Sequence, residues 1–352
     1  MHRLRRGVFL SALVIVLFCA FALLAIRAAV ANRKTGSRAG EDFSALRYPY
    51  QQLTVREQRL YDALYSGISD FETTIKLPGT FTTAEYERVY LMVLMQEPTL
   101  FYVQDVYELA DEMHSATIYY SMSQEEAKAM GASLDFAASQ IVNRLSSTQS
   151  EWQQLLMIHD LIAAGCEYGK TDHSSNAYGC LCEGAAQCEG YAKAFLYVAR
   201  SAGLQVMCVP GQTDRGTNHV WNVAEIDGAY YNIDVTWDDD DAFNGSVVHC
   251  CFAVPDASFH DHTPDTISYI PPICTDSSAT YYQKHGYVLS ELPQLEAQVQ
   301  SWMGQQTGAM TEFRWTDQIS RSEVQLSLVG MFSERGYRVI MDDDRQVAVI
   351  LG

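Results

Sequence analysis

Cys188, His219 and Asp234 offer, in chain order, a thiol, an imidazole and a carboxylate. Such a set can work as a nucleophile, a general base and a group that orients the base and stabilises its cation. The thiol would attack a carbonyl carbon while the imidazole shuttles the proton. The backbone N–H of Cys188 would face the developing oxyanion. No second oxyanion donor is legible in the sequence.

Local patterns bring these residues together. From Cys188 to Ala202 the spacing is helical, with Tyr191, Phe195, Val198 and Ala199 on one face and Gly203 at the stop. Cys188 falls in the first turn, where the macrodipole and unpaired N–H groups favour negative charge and suit a nucleophilic thiol. A structural cysteine would fit there equally well, so the helix alone decides nothing. A strand over Leu204–Pro210 follows, then two alternating runs, His219–Ile226 and Ala229–Trp237, about Asp227-Gly228. Asp-Gly between alternating runs predicts a two-residue hairpin. Its register sets 226 opposite 229, 221 opposite 234 and 219 opposite 236. His219 and Asp234 then become diagonal neighbours on one face. Val220, Ala224, Ile226, Tyr231, Ile233 and Val235 take the other face, as core.

Three blocks around these residues resemble the transglutaminase-like superfamily: Gln187-Cys188-Glu189-Gly190-Tyr191-Ala192, His219-Val220-Trp221-Asn222 and Asp234-Val235-Thr236-Trp237. The likeness runs over about residues 150–265, including His159-Asp160 and Cys251-Phe252 with His262. It implies an α+β, papain-like core in which a helix-start cysteine packs on an antiparallel sheet, with Cys188, His219 and Asp234 as the triad. Cys251 stands where many members have Tyr. Relatives include acyl transferases, proteases, other amide hydrolases and inactive copies. The expectation is therefore a cysteine enzyme acting on peptide amide bonds through a thioester. The alternative is a silent module that binds peptide in the same cleft. Hydrolysis is expected over amine transfer, since no acceptor tunnel is legible, and cell-wall stem peptides or surface proteins are possible substrates.

Other polar groups read as structural. Asp238–Asp241 lack the spacing of an EF-hand loop and are expected to form a solvated acidic loop. Zinc on Cys180, Cys182, Cys188 and His173 is disfavoured, and His249, His260 and His262 are read as structural. Trp221 and Trp237 are expected to wall the cleft or pack beside it. No cofactor and no metal are expected. Eight cysteines follow Cys19, an even number that admits disulfides, though several suit buried thiols.

Around this core the chain divides by pattern. Residues 1–40 hold seven Lys/Arg and no acid, with a Gly7–Ile26 apolar run behind Arg3, Arg5 and Arg6. Twenty such residues span about 30 Å as a helix, enough for a hydrocarbon core. A signal anchor is expected there, with the body outside the cytoplasm, and a secreted form cleaved after Ala29-Val30-Ala31 is the alternative. The net charge of −19 leaves the rest of the chain still more acidic, which argues against nucleic-acid partners. Residues 41–147 read as an α/β unit, 148–290 as the catalytic domain and 291–352 as a small β-α-β-β unit without chemistry. Ser/Thr-x-x-Glu capping boxes at Thr54, Thr82, Ser123, Thr148 and Ser320 mark helix starts. Strands are expected over Thr73–Leu77, Leu100–Val106, Thr117–Met122, Phe313–Trp315, Tyr337–Met341 and Gln346–Leu351.

Overall fold

The computed structural model describes residues 48–352 except 111, 240–244, 307–309 and 333–335. The expected anchor, residues 1–40, lies outside the described residues. Among the described residues no helix is long and apolar enough to cross a membrane.

Capping boxes start the N-terminal helices as expected. Thr54 with Glu57 opens α1 (Val55–Ser69), Thr82 with Glu85 opens α2 (Thr83–Gln96), and Ser123 with Glu126 opens α3 (Gln124–Val142). Strands β1 (Thr74–Lys76), β2 (Val103–Leu109) and β3 (Ser115–Tyr120) form an antiparallel sheet in the order β1-β3-β2. β2 starts later than Leu100 because Pro98–Leu100 winds into a 3₁₀ turn. For α4 (Glu151–Ala163) the expected Thr148–Glu151 box is wrong: Ser150 caps it with Gln153. The Glu151 carboxylate instead accepts the Asp227 N–H at the hairpin turn, at 3.0 Å.

The site is built on α5 (Cys188–Ser201) and an antiparallel sheet of β4 (Val206–Thr213), β5 (Asn218–Ile226), β6 (Ala229–Ile233) and β7 (His262–Pro264), ordered β6-β5-β4-β7. One face of the sheet, with Val220, Ala224, Ile226, Tyr231 and Ile233, packs in a core with α3, α4 and α5. Tyr191 and Phe195 of α5 are fully buried there. Each such side chain contributes about 1.5–3 kcal/mol of hydrophobic stabilisation. The other face, with Met207, Val209, Trp221 and Val223, joins a second core that also takes side chains from residues 53–127 and 287–351. The three segments thus share buried surface.

At the C-terminal end β8 (Val288–Leu289), β9 (Met310–Trp315), β10 (Arg338–Asp342) and β11 (Val347–Leu351) make a sheet ordered β8-β9-β11-β10. A short helix, α6 (Val235–Asp238), follows β6, while α7 (Leu295–Gln305) and α8 (Arg321–Phe332) pack beside the C-terminal sheet. The fold is α+β, with the papain-like arrangement of helix-start cysteine and antiparallel sheet.

Candidate active site

Helix α5 begins at Cys188 because Gln187 is extended (φ −100°, ψ 177°) and its N–H is held by the Ser174 carbonyl at 2.8 Å. Gly190 lets that first turn lie against the 174–176 segment, since a Cβ there would come within 2.4 Å of the Ser174 carbonyl oxygen. Asn222 of β5 donates to the Ala192 carbonyl at 3.0 Å and the Met207 carbonyl at 3.3 Å, pinning the helix to the sheet. Cys188 is partly exposed at the start of this fixed helix. Its N–H has no helical acceptor and remains available as an oxyanion donor.

The hairpin register is as expected from Ile226↔Ala229 to Asn222↔Ile233. Asp227 and Gly228 both adopt positive φ, as the tight turn requires. The expected pairing of 219 with 236 does not occur, because β6 ends at Ile233. Asp234 caps α6 instead, with Oδ1 accepting the N–H groups of Thr236 at 3.0 Å and Trp237 at 3.3 Å. An aspartate's preference for the N-cap position breaks the strand there. His219 and Asp234 meet nonetheless, with Nε2 donating to Asp234 Oδ2 at 2.7 Å. The other ring nitrogen is left for the thiol, and Cys188 is among the groups that interact with the imidazole.

Electrostatics follow from this burial and pairing. Burial alone would lower the His219 pKa, but the charge and hydrogen bond of Asp234, with Cys188 adding to them, carry it up to about 10. Burial would raise Asp234, yet His219 and then His262 hold it well below the usual carboxylate range. Cys188 and His219 share the lining of a cleft of about 590 Å³ with Glu189, Gln212, Asn218 and Asp265. Gly211 forms part of that wall, where a Cβ would strike the Thr263 carbonyl and Trp221. Trp221 packs beside His219 without lining this cleft, its indole N–H donating to Asn232 at 3.1 Å. Trp237 lies 5.7 Å from the His219 ring, centre to centre.

The sequence did not reveal His262 as part of this group. Its Nε2 donates to Asp234 Oδ2 at 3.2 Å and its Nδ1 lies 2.7 Å from Asp261 Oδ1. Asp261 in turn accepts from Arg345 of the C-terminal hairpin at 2.7 Å. The only sequence signal was the His262 position at the end of the family likeness; nothing marked Asp261 or Arg345.

The expected solvated loop at Asp238–Asp241 needs correction at its first residue. Asp238 is fully buried, accepting from the Cys251 N–H at 2.9 Å and contacting His159 Nε2 at 3.1 Å. Asp240 and Asp241 lie outside the described residues. His173 pairs with Glu183 at 2.7 Å. The eight described cysteines are free thiols. By donor type, His219, Asp234 and His262, or His159, Asp160 and His249, could hold a metal ion. In both groups nitrogen–carboxylate hydrogen bonds already join the members.

Residues 138–235 match the family model of the transglutaminase-like superfamily, a stretch that contains Cys188, His219 and Asp234. Among solved structures, a candidate cysteine protease from Cytophaga hutchinsonii is 18% identical, over 37% of this chain and 41% of its own, with TM-score 0.28. A structure described as a TGase is 14% identical over 37% of this chain and 43% of its own, with TM-score 0.28. A candidate protease from Parabacteroides distasonis is 10% identical over 70% of this chain and 61% of its own, with TM-score 0.29. The chain thus spans less than two thirds of each of these proteins. No curated protein matches it. The likeness to the transglutaminase-like superfamily thus lies in the central segment, residues 138–235, which carries the candidate site.

Proposed function

We propose that the protein is a cysteine enzyme that opens peptide amide bonds through a thioester on Cys188. The observation that carries this reading is a thiol and an imidazole on one open cleft, with a buried carboxylate behind the imidazole. A thiol at a helix start faces an imidazole that a buried carboxylate grips at 2.7 Å. In the first step Cys188 Sγ, its proton already held by His219, bonds to the amide carbonyl carbon. The oxyanion is met by the Cys188 N–H. Collapse expels the amine, which takes the proton from His219, and leaves the thioester. Water then attacks with His219 as base, releasing the acid and restoring the thiol. Asp234 holds the imidazolium formed in each half-reaction.

Water is the favoured acceptor, because specific hydrolysis needs only the groove for the acyl donor. Peptides, including cell-wall stem peptides, are the proposed substrate class. The apolar Gly7–Ile26 run behind Arg3, Arg5 and Arg6 supports a membrane-anchored body outside the cytoplasm. N-terminal sequencing of membrane-extracted protein checks this, and a mature chain beginning at Asn32 would overturn the anchor.

The test of the activity is a glutamine-containing peptide library incubated with and without a primary amine and read by mass spectrometry. Hydrolysis that disappears in Cys188→Ala is expected. Amine incorporation that outruns hydrolysis would reassign the acceptor, and no turnover under either condition would favour a peptide-binding module.

A further inference from the structure

The carboxylate that grips His219 is itself gripped from a distant part of the chain. Asp234 Oδ1 is occupied by two backbone N–H groups and Oδ2 is shared between His219 and His262. The His262 side chain is wholly buried, stacked 3.7 Å from the Phe259 ring and 4.3 Å from Trp237. Its far nitrogen meets Asp261, and Asp261 meets Arg345. Arg345 is buried in the turn between β10 and β11, where it also donates to Asp342 at 3.0 Å and lies 4.8 Å over the Trp237 ring. Desolvating an arginine–aspartate pair is unfavourable, so such a pair is weak ground for stability and a better device for fixing geometry. Here the geometry it fixes ends on the carboxylate facing His219.

We propose that His262, oriented by Asp261 and Arg345, is a positioning residue that holds the Asp234 carboxylate for His219. The C-terminal hairpin thereby helps to set the reactivity of Cys188. The inference rests on the triad reading above. It gives a role to a segment in which the sequence showed no chemistry. The groups facing Asp234 are His219 from β5, His262 from β7 and the backbone of α6, and Cys251 accepts the Asp234 N–H with its carbonyl. The buried Cys251 thiol is pushed up by burial and stays neutral, so it adds no charge. Beyond His262, Asp261 acts one contact further out and Arg345 two.

The test needs no substrate. Iodoacetamide labelling of Cys188 in the full-length protein is followed by peptide mapping from about pH 4 to about pH 9. His262→Phe keeps the ring but removes both nitrogens. It is expected to slow labelling at neutral pH about tenfold and to move the acid limb up by about one pH unit, since Asp234 loses a donor to its charged form. His262→Gln, which keeps an N–H donor, should recover part of both. Arg345→Met should act in the same direction by about threefold, with Arg345→Lys partly restoring the rate. Circular dichroism checks folding, and if His262→Phe does not fold, the Arg345 pair carries the test. A rate that depends on His219 but ignores His262 and Arg345 would overturn this inference alone. A rate unchanged by His219→Ala alone would overturn the triad reading and this inference with it.

Discussion

Two buried histidine–carboxylate arrays leave the two ends of the same short helix. From Asp234, the N-cap of α6, one runs through His219 to Cys188 and through His262 to Arg345. From Asp238, the last residue of α6, the other runs through His159, Asp160 and His249 to Glu312 and Tyr282. Their electrostatics are alike. Burial opposes the charge on His249 as it does on His219, and carboxylates carry both up to about 10. Asp160, like Asp234, is held below the usual range by its histidines against the effect of burial. What separates the arrays is what stands at the end. The first reaches a partly exposed thiol on a cleft, and the second ends in the C-terminal sheet, with Tyr281 stacked 3.9 Å from His249. A paired, strongly shifted histidine therefore does not identify a catalytic one; access to a nucleophile does.

The largest effect should fall on chemistry in one array alone. His219→Ala is expected to slow peptide turnover by about 10²–10⁴-fold, measured as product formed per hour. His249→Leu should spare the chemistry and act on stability alone. It takes the imidazole partner from the buried Glu312 and is expected to destabilise the fold by about 3 kcal/mol in urea titration. The folded fraction should keep its Cys188 labelling rate. If His249→Leu slowed labelling in folded protein as much as His219→Ala, the arrays would not be separable in this way.

A pH titration sharpens the comparison. Both histidines have folded pKa values raised above the ordinary 6.5 to about 10. Protonation therefore favours the folded state, with the contribution fully present below about pH 6.5 and lost as pH rises through about 10. Melting temperature should fall across that window, and His249→Leu should remove part of the slope. A slope unchanged in both His249→Leu and His219→Ala would show that neither array supplies it.

The smallest expected effect lies away from both arrays. Thr82→Ala removes a capping box on α2 and should cost about 1 kcal/mol without altering Cys188 labelling.

Much of this was legible because local rules fix local features. The capping boxes at Thr54, Thr82 and Ser123, the Asp227-Gly228 turn and the helix start at Cys188 each depend on a few adjacent residues. Asp234 was misread as mid-strand because alternation continued through Val235, although an aspartate two and three residues before free N–H groups is itself a capping signal. Asp238 was read as solvated because it begins an acidic run, while its buried partners come from residues 159, 250 and 251. The Asp261–Arg345 contact joins residues far apart in the chain, and no pattern within either segment points to the other.

The central claim is that Cys188 is activated by His219 and not merely exposed. Cys182 supplies the internal control, being another partly exposed thiol, whose pKa is raised by burial and by the nearby Glu183. Iodoacetamide labelling of the native protein at neutral pH, resolved by peptide, compares the two directly. The account predicts that Cys188 labels at least about tenfold faster than Cys182 and that His219→Ala removes the difference. Equal rates in the native protein, or a Cys188 advantage that survives His219→Ala, would contradict it.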